Sequence, residues 1–218
     1  MSSVSADSPG KKPYHHGALH AALIEASIAL AREGGPDRVI LREAARAAGV
    51  SHSAAYRHFT DREALLAEVS RFARNELAGE MRRRIHRTKD PRRRLRAVGT
   101  AYIDFALTEP GLFRTAFTSH PATSRDTEDD RPTGGEDPTH TTAIADPYEV
   151  LGQVLDEAQA AGVLDPRRRP GAEIAAWSAV HGIAGLLLDG QLPTSPAGIK
   201  FSRKQVLDLI ERGLLNGA

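Results

Sequence analysis

The residues best placed to do chemistry lie between Leu41 and Phe59, where His52, Ser53, Tyr56, Arg57 and His58 crowd into a short span. They stand where a surface helix would ordinarily carry solvating Glu and Lys. Imidazole, hydroxyl and guanidinium groups at this spacing suit hydrogen bonding to the edges and phosphates of a nucleic acid. Arg57 can make a two-pronged contact with guanine, worth about 1–3 kcal/mol of discrimination. His52, Ser53 and Arg57 fit base edges. Tyr56, His58 and Arg62, with Arg42 from the preceding helix, fit phosphates.

The elements that must position them are two short helices joined by a turn at Gly49. Ala44, Ala45, Ala48 and Val50 are small enough to let those helices cross closely. Gly49 sits where a left-handed backbone ends the first helix, and Ser51 is placed to cap the second. Such a pair can set its second helix in the major groove of double-stranded DNA. The same geometry builds ordinary helical bundles, with Tyr56 and Phe59 as core, so spacing alone leaves both readings open.

The rest of the chain reads as helix. Residues 17–32 carry Leu19, Leu23, Ala26, Ser27 and Leu30 on one stripe, and Gly34 to Asp37 stop it. Thr60 reads as an N-cap, with Glu63 at capping-box spacing, for a helix running to about Arg87. Further helices are expected over residues 92–108, 110–117, 147–161, 171–190 and 202–213. Residues 1–13 form a polar tail, whose Lys11 and Lys12 can touch phosphate or merely solubilise. Residues 118–145 lose all apolar periodicity and read as a mobile loop. No strand-like alternation or internal repeat appears, which makes the chain all-α.

Composition narrows the function classes. There is no cysteine among the 218 residues, which removes disulfides and thiolate chemistry and fits a reducing cytoplasm. Net charge is only +1, so any nucleic-acid footprint must be local. Residues 1–10 lack the apolar core of a signal peptide. The longest apolar run, residues 172–188, contains Glu173 and His181 and reads as a buried, central helix rather than a membrane span.

That helix is apolar nearly all round. Ser178, Gly182 and Gly185 share one face, and interior glycines cost about 1 kcal/mol each relative to alanine, so close approach of another helix is expected. Val206, Leu209, Ile210 and Gly213 form a stripe on the last helix. The two helices can build a four-helix dimer interface or a monomeric core. Trp177 and His181 lie one turn apart. With Phe105, Phe113, Phe117 and Tyr148 they can line a pocket with one polar handle, or His181 can be a core histidine bonded to a backbone carbonyl.

Other clusters carry less. The basic run Arg82, Arg83, Arg84, Arg87, Lys89, Arg92, Arg93, Arg94 and Arg96 reads as a solvated face, balanced in part by Asp126, Glu128, Asp129 and Asp130. The latter fail as a calcium loop because Arg131 stands where the turn needs Gly. His16 and His20 are at i, i+4 spacing without a third ligand, so no metal site is expected. The chain has no phosphate-binding Gly-rich loop, no nucleophile elbow and no His-Glu-x-x-His helix, and is not expected to be an enzyme or to need a cofactor.

Several motifs together resemble a known family. Tyr14-His15-His16-Gly17, Gly49-Val50-Ser51, Tyr56-Arg57-His58-Phe59 and Asp61-Arg62-Glu63-Ala64-Leu65-Leu66 are similar to the N-terminal domain of TetR-type transcriptional regulators. Glu109-Pro110-Gly111-Leu112-Phe113 and Trp177 to Gly182 resemble a subgroup with a Trp…His-Gly signature in its C-terminal domain. The resemblance implies a three-helix DNA-binding domain, residues 14–60, and a larger helical domain, residues 61–218, for ligand binding and dimerisation. It implies a cytoplasmic homodimer that represses transcription at a palindromic operator and responds to a small-molecule effector still to be identified. It assigns His52, Ser53 and Arg57 to bases and Tyr56, His58 and Arg62 to the backbone. Three positions depart from the pattern: Ile40 replaces a capping, phosphate-touching Thr, Ala18 replaces an Asp expected to cap the first helix, and Arg62 replaces a Lys. The first two leave room for an alternative, a helical carrier of an apolar molecule that has kept the fold without DNA binding.

Overall fold

A computed structural model describes residues 14–118 and 146–217. The tail, including Lys11 and Lys12, and the acidic stretch 126–130 lie outside the described residues. So do the side chains of residues 14–16, and with them the His16–His20 pairing.

Among the described residues every regular element is helical: α1 Tyr14–Gly34, α2 Leu41–Ala47, α3 His52–Ala55, α4 Arg62–Ile85, α5 Pro91–Thr108, α6 Pro110–Ala116, α7 Pro147–Ala160, α8 Ala172–Leu188 and α9 Pro196–Leu214, with short 3-10 turns at Pro36–Arg38 and Pro166–Arg168. An isolated bridge between Leu164 and Leu215 is the lone extended pairing among them. Four helices begin with proline at their first position, where the missing N–H costs nothing and φ is already helical.

Helix starts differ from expectation where local hydrogen bonds decide them. The α4 cap is Asp61, whose carboxylate accepts from Ala64 N at 2.7 Å; Thr60 instead donates to Asp61. The last helix begins at Pro196, six residues before the expected start at 202, because Ser195 caps it, accepting from Gly198 N at 3.1 Å. Ala18 lies inside α1, so an Asp there would not be a helix cap.

Helices α1, α2 and α3 pack together at one end, and α4 carries the chain from them into a body of α4 to α9. One continuous core joins the two parts, running from Leu23 and Ala44 through Leu65, Leu77 and Tyr102 to Leu155 and Leu207. The apolar helix α8 is not central. Ala172, Ala176, Val180, Ala184 and Leu187 are buried, whereas Ile174 is 64% and Leu186 46% exposed. On α9, Val206 and Ile210 are buried while Phe201 is 64% and Leu209 60% exposed. An apolar face therefore stands open along both helices.

Candidate nucleic-acid interface and small-molecule pocket

The helix pair is set by its turn. Gly49 has φ +68, and Val50 N donates to Ala45 O at 3.0 Å to close the end of α2. Ser51 then starts α3, its hydroxyl accepting from Ala54 N at 3.2 Å. Ala44, Ala45, Ala55 and Phe59 are buried beneath. Their opposite face presents His52, Ser53, Tyr56 and Arg57, all exposed. The Tyr56 ring meets the His52 ring edge-on at 4.6 Å. The side chains of Arg42 and Arg57 are exposed and have no hydrogen bond or ion pair with any described residue. The helix pair thus carries two uncommitted guanidinium groups.

Three positions behave otherwise. His58 is half-buried, with its ring 6.1 Å from that of His20, which itself stacks on Phe59 at 4.9 Å. Ile40 is the N-cap of α2 and offers no side-chain hydrogen bond. Arg62 turns inward, donating through Nε to Val39 O at 2.9 Å and through Nη2 to Pro36 O at 2.6 Å. Its fork holds the link between α1 and α2, so the structure gives it a scaffold role where a phosphate grip was expected. No sequence signal reveals this, because the carbonyls lie more than twenty residues away.

In the body, the expected pocket residues only partly converge. Phe113, Phe117, Trp177 and His181 form a cluster centred on Tyr102, a residue that periodicity does not single out. The Tyr102 ring lies 5.0 Å from Trp177, 5.5 Å from Phe113 and 6.0 Å from Phe117. Tyr148 is 41% exposed and touches the cluster through Trp177 at 5.6 Å. Phe105 does not join it. Phe105 lines a polar groove with Glu76, Glu80 and Arg84 on the α4 side.

The Tyr102 hydroxyl stands 2.7 Å from His181 Nδ1. Tyr102 is 1% exposed, and its hydroxyl has no other partner among the described residues. If it accepted from Nδ1–H, its own proton would be left buried and unpaired, at a cost of about 1–3 kcal/mol. Tyr102 therefore donates, Nδ1 accepts, and the imidazole carries its proton on Nε2. Burial reinforces this state, raising the pKa of Tyr102 and lowering that of His181. The Nδ1 of His181 is thus partnered by a side chain rather than by a backbone group.

Two clefts flank the cluster. One, of only about 20 Å³, runs among Met81, Leu95, Val98, Leu151, Trp177 and Leu207. The other, more open and about 410 Å³, lies between α6, α8 and the turn after α1, with Pro36, Asp37, Phe113, Phe117, His181 and Leu188 on its walls.

Helix α6 links this region to the N-terminal helices. Phe113 belongs to the cluster, while Gly111, near the start of the same helix, packs on the carbonyls of Ala31 and Arg32 at the end of α1. Arg32 and Glu109 pair beside them at 3.3 Å.

The basic run is largely spoken for. Arg84 pairs with Glu80 at 3.1 Å and Asp104 at 2.8 Å, Arg94 with Glu157 at 3.1 Å, and Arg96 with Glu211 at 2.9 Å and with Asp208. Among the described residues its balance comes from acids on α4, α5, α7 and α9; the 126–130 stretch lies outside them. Among the described residues there is no cluster of three metal-ligating side chains and no helix long and apolar enough to cross a membrane.

Comparison with known proteins agrees with this architecture. Residues 95–209 match the family described as "Tetracyclin repressor-like, C-terminal domain", and residues 23–69 match "Bacterial regulatory proteins, tetR family". A protein with unknown function from Rhodococcus sp. RHA1 is similar at 28% identity over 94% of this chain and 100% of its own, with a TM-score of 0.70. The TetR family transcriptional regulator PfmR from Thermus thermophilus shares 23% identity over 88% of this chain and 97% of its own, with a TM-score of 0.58. The SmeT–triclosan complex shares 17% identity over 92% and 93%, with a TM-score of 0.60. No curated protein matches the chain.

Proposed function

The chain belongs to the TetR family of bacterial regulatory proteins, and from that premise we propose that it is a cytoplasmic, ligand-responsive repressor that binds a palindromic operator as a homodimer. The observation that carries the reading is the surface of α3 and the turn after it: His52 and Ser53 project from the capped helix and Arg57 from that turn, while Ala55 and Phe59 are buried beneath. His52, Ser53 and Arg57 read base edges. Tyr56, His58 and Arg42 hold phosphates, and Arg62 keeps the segment from Pro36 to Val39 in place.

Dimerisation follows from the open face of α8 and α9. Gly182 and Gly213 have nothing within 4 Å of where a β-carbon would sit, so no packing within the protomer accounts for them. A second copy seated on Ile174, Leu186, Phe201 and Leu209 covers that face and presents two α3 helices to half-sites about one DNA turn apart.

The effector occupies the body beside the Tyr102 cluster. Phe113 and Phe117 sense it, and α6 passes the displacement to α1 through Gly111. Regulation by binding needs no bond-making, and the protein acts without catalysis. The experiment is binding of the purified protein to DNA upstream of its own and neighbouring genes, against random DNA, at physiological salt. Preference for one palindromic segment supports the reading; equal affinity for all sequences overturns it.

A further inference from the structure

We infer that the effector is an uncharged, mainly apolar molecule bearing a carbonyl oxygen, and that it binds in the cleft between α6, α8 and the Pro36–Arg38 turn with that oxygen on His181 Nε2–H. The inference rests on the ligand-responsive reading and goes beyond it in naming the site and the chemistry.

His181 supplies the polar handle. Its Nδ1 is taken by Tyr102, and its Nε2–H, the remaining donor, has no acceptor among the described residues. The ring borders the cleft, so this donor is available to a ligand there. A fixed N–H recognises an acceptor, not a second donor.

The walls select against charge. Phe113, Phe117 and Leu188 are apolar, and Arg114 is already paired with Asp189 at 2.7 Å. That leaves Asp37, exposed and without a partner among the described residues, as the unbalanced charge. An anion would be repelled there, and a cation drawn to Asp37 would still leave His181 Nε2–H without the acceptor that a neutral carbonyl supplies. The interior cleft is too small for such a molecule, with a volume of only about 20 Å³, room for a water at most. A ligand in the junction cleft also touches Pro36, whose carbonyl Arg62 holds. Occupancy therefore bears directly on the segment that sets α2 and α3.

The test uses benzophenone, which carries one carbonyl between two rings and labels nearby C–H bonds when irradiated. Diphenylmethane, the same shape without the oxygen, is the control, and equilibrium dialysis on the full chain measures both. Benzophenone is expected to bind about fivefold more tightly than diphenylmethane, in keeping with one net hydrogen bond. His181→Phe removes that difference. Gly185→Leu fills the cleft from a position where an added β-carbon meets nothing within 4 Å, so it is expected to block both compounds, with the melting temperature confirming that the fold is kept. Benzoate does not compete. Photolabel is expected on α6, on the C-terminal half of α8 and on the Pro36–Arg38 turn. Equal binding of the two compounds to the unaltered protein, or label confined to peptides bearing Leu95, Leu151 and Leu207, overturns the inference. Operator binding is assayed separately: a labelled cleft supports the site even where sequence-specific DNA binding is absent, a result that strikes the regulator reading alone.

Discussion

Gly111 rests on the carbonyl oxygen of Ala31 so closely that a β-carbon at 111 would fall inside van der Waals contact with it, and 2.8 Å from Arg32 O as well. Those carbonyls end α1, and the Ala31 oxygen already accepts from Gly35 N at 2.7 Å. Neither can retreat cheaply. Gly111→Ala is therefore expected to destabilise by about 1–3 kcal/mol, the usual cost of overpacking. For a chain of this size that lowers the melting temperature by roughly 2–4 °C per kcal/mol, which calorimetry reads directly. An unchanged melting temperature would mean that the α1–α6 contact is loose and cannot transmit a displacement.

Arg62 and Arg42 separate by salt. With Nε and Nη2 of Arg62 committed to Val39 and Pro36, Arg62→Ala should lose about 1–3 kcal/mol of stability. It should leave the slope of log affinity against log salt unaltered. Arg42→Ala should leave stability alone and make that slope shallower by about 1.8, the value of two phosphate contacts, one from each protomer. A shallower slope for Arg62→Ala would restore it to the DNA backbone.

Arg57 and Tyr56 differ in what they recognise. Arg57→Ala is expected to flatten preference at one base pair by about 1–3 kcal/mol, read by competition among operator variants. Tyr56→Phe removes the hydroxyl proposed to meet phosphate and should weaken every sequence alike. If Tyr56→Phe changed the preferred sequence, the division of roles on α3 would be reversed.

Local chemistry accounts for what can be read from the chain in advance. Gly49 and Ser51 specify their turn and cap through their own backbones, and the helices follow from apolar spacing. Contacts between distant segments are not legible. Whether Tyr102 or Phe105 faces α8 depends on how α5 is rotated, and both are buried, so periodicity cannot choose between them. The inward fork of Arg62 and the pairing of Arg94 and Arg96 with α7 and α9 are likewise tertiary. Helix α8 misleads for another reason: an all-round apolar helix looks the same in sequence whether its second face meets its own chain or a partner.

The Tyr102–His181 bond makes stability depend on pH. Burial lowers the His181 pKa below its usual value of about 6.5. Above that value both folded and unfolded chains hold His181 neutral, and its contribution is intact. As pH falls below it, the unfolded chain takes up a proton that the folded chain refuses, and stability declines until the folded pKa is passed. Protonation of Nδ1 would also remove the acceptor for Tyr102. Urea midpoints from pH 8 to 5 should fall on the acid side, and His181→Gln, which keeps an acceptor but does not titrate, should show a shallower decline. Arg114, Asp189 and Asp37 are the charged groups that line the same cleft.

Leu209 separates assembly from folding. It is 60% exposed in the protomer, whereas its neighbours Val206 and Ile210 are buried. Leu209→Asp therefore places a charge on the open face without entering the core. A protomer of 23.5 kDa should sediment as a monomer with an unchanged melting profile. Operator affinity should fall by orders of magnitude, because one α3 helix then engages one half-site without the other holding it in place. A variant that remained dimeric would move the interface away from α8 and α9. Gly182 and Gly213 would then be left with no packing partner to explain why two helix interiors carry a residue so poorly suited to them.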